Sequence, residues 1–191
     1  MGRTKTYNEG EVLEKAMYCF WNNGYTNTSI RQLESEMGIN QFSIYSSFGS
    51  KSNLYLKVLD KYVSMMNSTY LKDLSQADAD IRDIERFLVD FGVDMVADKI
   101  PSSCLMIKSM INYDVFSPEI KESIDNFSKL MDTLFQRALK NSVAKGLLGE
   151  SISVKNESQY LLGITQSISI INMNKSKAEI KKYVANSIAK I

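Results

Sequence analysis

The sequence predicts an all-α fold of about nine helices. Apolar residues recur at helical spacing nearly throughout, and no run alternates polar and apolar as a half-buried strand requires. Only two prolines and nine glycines punctuate 191 residues, so long helices can persist between breaks.

The helices follow in order. The first runs from about Tyr7 to Asn23, with Leu13, Ala16, Met17 and Phe20 as its buried stripe, and Asn22-Asn23-Gly24 stops it. Thr28 or Ser29 caps the second, and Ser29 with Gln32 has capping-box spacing. Gly38 ends that helix, and Asn40 caps a short third from Gln41 to Phe48. Gly49-Ser50 breaks the chain again before a fourth helix over about 51–74. A fifth begins near Asp80, with Ile81, Ile84, Phe87, Leu88, Phe91 and Met95 on one side. A short sixth covers about 103–114. Ser117-Pro118-Glu119 starts a seventh, running to about Lys145, by a cap, a first-turn proline and an acid at the positive helix end. An eighth spans about 154–173 and a ninth about 176–190.

Composition narrows the function. At 44% apolar and 24% charged residues the chain has the balance of an ordinary globular protein, long enough for one or two domains. It has no histidine, which removes Ser-His and Cys-His nucleophiles and histidine metal sites. Its two cysteines, Cys19 and Cys104, make no disulfide framework and no metal spacing. An enzyme is therefore not expected, nor is any metal or cofactor. No stretch has the roughly 20 apolar residues of a membrane helix, and residues 1–8 lack an apolar signal region, so a cytoplasmic protein without membrane attachment is expected. Net charge is +1, and residues 1–60 hold as many anions as cations. Any nucleic-acid contact must come from the placement of a few cations rather than a bulk positive field.

Three short helices separated by glycine turns within the first 50 residues point to a helix-turn-helix. The landmarks are Gly24-Tyr25, Thr28-Ser29-Ile30-Arg31-Gln32-Leu33, Gly38-Ile39-Asn40, Ile44-Tyr45, Phe48 and Ser50-Lys51-Ser52-Asn53-Leu54. On these residues the segment resembles the DNA-binding domain of the TetR family of transcriptional regulators. The resemblance implies a DNA-binding domain over 1–50 and a ligand-binding and dimerisation domain over 51–191. It further implies a cytoplasmic homodimeric repressor that leaves a double-stranded operator when a small apolar or reactive effector binds.

The residue chemistry agrees. Ile44, Tyr45 and Phe48 hold the third helix against the first two, leaving Gln41, Phe42, Ser43, Ser46 and Ser47 on a face of small or neutral side chains suited to base edges. Tyr45 has an apolar body and a hydroxyl tip, and the resemblance gives that hydroxyl a phosphate. Lys51 opens the fourth helix, where its ammonium and free backbone N–H groups both suit a phosphate. Thr28 or Ser29 does the same at the second helix. Arg31, by resemblance, reaches a base or a phosphate, and Arg3 and Lys5 form a short basic arm. Glu34 stands where the family usually has alanine, so it bends outward or finds a partner. Phe42 stands where a small residue or proline is common, and meets a thymine methyl or packs on the protein.

The remaining chain is less specific. Cys104-Leu105-Met106, Ser117-Pro118-Glu119 and Lys145-Gly146 resemble a branch of the same family in which a small-Cys-Leu stretch opens the sixth helix, and some members sense electrophiles or oxidants through a cysteine. Cys104 lies near a helix start that favours thiolate, so it is either a sensor or a small packing residue. Cys19 is expected in the core. The seventh helix carries Ile120, Ile124, Phe127, Met131, Leu134 and Ala138 as a two-helix packing seam, and the eighth is apolar almost all round. A two-fold dimer built from helices seven and eight, or eight and nine, is expected. Phe91, Met95, Met106, Met110, Tyr113, Phe116, Met131 and Phe135 are expected to line an effector pocket, with Gln166, Thr165 or Tyr160 as a polar anchor. A helical binding protein or enzyme, or a protein-only adaptor, are the competing readings; retardation of duplex DNA separates them from a regulator.

Overall fold

The computed structural model describes residues 7–171 and 175–191; Arg3, Lys5 and Met173 lie outside them. The described residues form nine α-helices and one 3-10 turn, and no strand occurs among them.

α1 (Glu9–Asn23) begins where the Asn8 side chain accepts from the N–H groups of Gly10 and Glu11, and it ends at Gly24, whose φ of +79° few other residues adopt. α2 (Ile30–Met37) has the expected reciprocal capping box between Ser29 and Gln32, and Gly38 closes it in the left-handed conformation. Asn40 caps α3 (Gln41–Phe48), and Ser50 caps α4 (Lys51–Thr69). α4 stops short of the expected Leu74. Beyond Thr69 the chain turns to bury Leu71 and Leu74, and Tyr70 donates its hydroxyl to Asp94 Oδ2 at 3.0 Å.

α5 (Ile81–Val96) is capped by the buried Asp80. That carboxylate accepts from Arg82 at 2.6 Å and from Lys145 at 2.8 Å, tying the start of α5 to the end of α7. α6 (Leu105–Ile111) is shorter than its pattern suggested, with Cys104 at its cap and a separate 3-10 turn over Tyr113–Val115. α7 (Pro118–Ala144), α8 (Val154–Ile171) and α9 (Lys177–Ile188) complete the chain.

α1 to α3 pack on one another and on the first turns of α4. Phe20, Leu33, Ile44 and Leu54 are fully buried there. α4 continues without a linker into the larger helical body, where Val58, Leu59 and Tyr62 are fully buried and the helix packs on α6 and α7. Each such side chain contributes about 1.5–3 kcal/mol by leaving water. α7 packs on α8, and α5 on α9. The α7 stripe from Ile120 to Ala138 is buried inside this one chain, against α4, α5, α6 and α8, so it is not a seam left open for a second subunit.

Candidate nucleic-acid interface

α3 is amphipathic over only two turns. Ile44 and Phe48 point into the core, which turns Gln41, Phe42, Tyr45 and Ser46 outward. Phe42 is 80% exposed and Tyr45 46% exposed. Of the two expectations for Phe42, packing on the protein does not hold. Ser43 and Ser47 are half-buried, and Ser47 shares a hydrogen bond with the Tyr7 hydroxyl. Glu34 finds its partner on α3 itself: Gln41 Nε2 donates to Glu34 Oε2 at 3.1 Å.

Around this face lie the other expected contacts. Ser29 and Arg31 are exposed on the first turn of α2. Lys51 is half-buried, with its ammonium 4.4 Å from the centre of the Tyr25 ring, and burial lowers its pKa. Thr28 needs correction. It is fully buried, and its hydroxyl donates to the Gly24 carbonyl at 2.6 Å, so it cannot meet a duplex as expected; Ser29 does the capping.

The join between this head and α6 was missed by sequence reasoning. Trp21 donates its indole N–H to the Ser103 carbonyl, while Lys108 Nζ donates to the carbonyls of Trp21 at 2.7 Å and Asn22 at 3.2 Å. Tyr55 and Ser109 share a buried hydrogen bond of 2.7 Å between α4 and α6. Two signals were available. A lone tryptophan on the apolar side of a helix needs an acceptor for its N–H, and a lysine between the apolar stretches Leu105-Met106-Ile107 and Met110-Ile111 needs a destination for its ammonium.

The expected effector pocket is largely packed core. Phe91, Met95, Met106, Phe116, Met131 and Phe135 are buried, and Met110 and Tyr113 are half-buried. Phe87 stacks on Phe91 with centroids 5.9 Å apart and contacts Phe135 at 6.1 Å. Gln166 is exposed, because its position on α8 falls opposite the buried stripe of Leu161, Ile164, Thr165 and Ile168, so it is no anchor for an internal ligand. A cleft of about 510 Å³ opens instead between α4 and α7. Val63, Phe127 and Leu130 line it together with Asp60, Glu119 and Glu122, and none of the residues expected at the pocket does.

Of the two readings of Cys104, burial favours the small packing residue. Desolvation raises its thiol pKa, outweighing the opposing hydrogen bond from the Tyr62 hydroxyl at 3.2 Å. The helix start does not make it a thiolate. Cys19 is buried as expected. Among the described residues no cluster of three metal-ligating side chains occurs, and no helix is long and apolar enough to cross a membrane. On α8, Ile170 is 58% exposed, and Leu162 is half-buried.

Residues 12–58 match the model of bacterial regulatory proteins of the tetR family, a span covering α2 and α3 and reaching into α1 and α4. The uncharacterised HTH-type transcriptional regulator YezE of Bacillus subtilis (strain 168) is 28% identical over 163 residues, covering 84% of each chain. The HTH-type transcriptional repressor ComR of Escherichia coli (strain K12) is 25% identical over 173 residues, covering 88% of this chain and 81% of that one. The fold is similar to that of a cysteine mutant of the TetR family regulator CifR, solved with a 26-bp operator duplex. There the TM-score is 0.86, at 19% identity over 98% of both chains.

Proposed function

We propose that this chain, whose residues 12–58 match the tetR family of bacterial regulatory proteins, is a ligand-responsive transcriptional regulator of that family that binds operator DNA as a homodimer and acts as a repressor. The observation that carries this reading is the outward face of α3, where an 80% exposed phenylalanine stands beside small polar side chains with nothing among the described residues to cover it.

In this reading residues 1–50 are the DNA-binding domain. α3 enters the major groove. Gln41, Phe42, Ser43 and Ser46 meet base edges, and the Phe42 ring rests on a thymine methyl. Ser29, Arg31, Tyr45, Ser47 and Lys51 hold the flanking phosphates. Residues 51–191 hold the dimer contact and the effector. The open side of α8, with α9 beside it, meets its own copy across a two-fold axis and sets the two reading helices one duplex turn apart, roughly 34–36 Å. A small molecule between α4 and α7 would shift α4, which is continuous with the head, and move the two α3 helices out of register. Its place of action is the cytoplasm, where its DNA is, and no catalytic step is assigned to it.

The test is gel retardation of the duplex upstream of its own gene at two salt concentrations. Retardation that weakens with salt, with a slope of log K on log salt of about −3 to −5, supports the reading, since four cations per dimer come from Arg31 and Lys51. Failure to retard that duplex or a randomised duplex pool overturns it.

A further inference from the structure

Glu34 and Gln41 face each other across the α2–α3 turn at 3.1 Å, Glu34 half-buried and Gln41 exposed on the reading face. A carboxylate offers only acceptors. It therefore holds the Gln41 amide by its NH2 end and fixes which way round that amide sits. The Gln41 carbonyl oxygen is left as an outward acceptor, with the second amide hydrogen beside it.

We propose that Glu34 is a positioning residue that makes Gln41 read adenine and reject guanine. The inference rests on the DNA-binding reading above. In the major groove adenine presents the N6 amino donor beside the N7 acceptor, which matches an outward C=O next to an outward N–H. Guanine presents two acceptors, O6 and N7. Against it, the fixed Gln41 carbonyl would lie opposite O6, acceptor to acceptor. An unheld glutamine turns its amide over and meets guanine with its NH2 group instead. Glu34 removes that choice.

Selection from a randomised duplex library by the full-length protein, read by sequencing, tests this. Wild type is expected to favour adenine over guanine by roughly tenfold at one position per half-site, and Gln41→Ala to flatten that position. Glu34→Ala is expected to bring the ratio to about twofold or less while the rest of the site keeps its preference. Glu34→Gln, the same size but able to present either amide end, is expected to relax the same position and guards against a folding defect in the alanine variant. In the Gln41→Ala background, Glu34→Ala is expected to change nothing further there, which separates action through Gln41 from a merely structural role. A tenfold preference that survives Glu34→Ala and Glu34→Gln overturns the proposal. So does guanine at the Gln41-dependent position, or a Glu34 effect that persists without Gln41. A wild type that enriches no sequence overturns the DNA-binding reading and this inference with it; a clear site indifferent to Glu34 overturns this inference alone.

Discussion

Lys108 on α6 donates its ammonium to the main-chain carbonyl of Trp21, 2.7 Å away on the last turn of α1. The contact spans 87 residues of sequence and places a cation at the negative end of the helix. It joins the helix that begins at Cys104 directly to the head, so α4 is not the only connection between the two parts.

Lys108→Met keeps the apolar stem and removes the donor. We expect it to cost about 1–2 kcal/mol, lowering the melting temperature by about 3–6 °C. Thermal unfolding of the two proteins side by side checks this. An unchanged melting temperature would mean that the contact does not stabilise the junction.

The buried Cys104 thiol, its pKa raised by desolvation, should react poorly. Iodoacetamide at neutral pH is expected to label Cys104 at least tenfold more slowly in the native protein than in guanidinium, followed by mass spectrometry of the peptide. Labelling as fast as a free thiol would restore a sensor role.

Asp80 is expected to set an acid limit on stability. Hydrogen bonds from Arg82, and then from Lys145, hold its carboxyl well below the usual carboxylate range. A group whose folded pKa is depressed stabilises the fold above its unfolded value, near 4, and that contribution fades as pH falls through the folded value. Asp80→Asn should therefore lower stability at pH 7 by about 2 kcal/mol and converge towards wild type below about pH 3. Urea melts across that range check it; a constant gap between the two proteins would contradict it.

Gly92 lies in the middle of α5, where a Cβ would sit 2.8 Å from Ile180 Cγ2 and 3.0 Å from Ile168 Cγ2. Those methyls belong to stiff β-branched side chains, so α9 or α8 must move. Gly92→Ala gains about 1 kcal/mol in helix propensity, yet is expected to be net destabilising by about 1 kcal/mol through overpacking. A raised melting temperature would contradict it.

Local chemistry was legible in the sequence. The Ser29–Gln32 capping box, the Gly38 stop, the Asn40 and Ser50 caps and the proline start of α7 all stand where the residues put them, because each depends on neighbours within four positions. What depends on distant partners was not legible. Gly92 reads as a mere helix weakener until Ile168 and Ile180 are seen above it. Met95 and Phe135 have the composition of a pocket wall and the packing of a core, and spacing alone cannot separate the two. The dipole argument for Cys104 was sound locally but lost to burial, which only the tertiary structure sets. Thr28 and Ser29 looked equivalent as caps, and the Gly24 carbonyl took one of them out of reach.

The central claim is that the outward face of α3 binds duplex DNA. The most direct measurement is the affinity of the protein for its selected duplex, with and without Phe42→Ala and Tyr45→Ala together. Both side chains are exposed, so stability should stay within about 1 kcal/mol of wild type. The account predicts that the folded double variant loses at least about tenfold in affinity. Equal binding by the two proteins would contradict it.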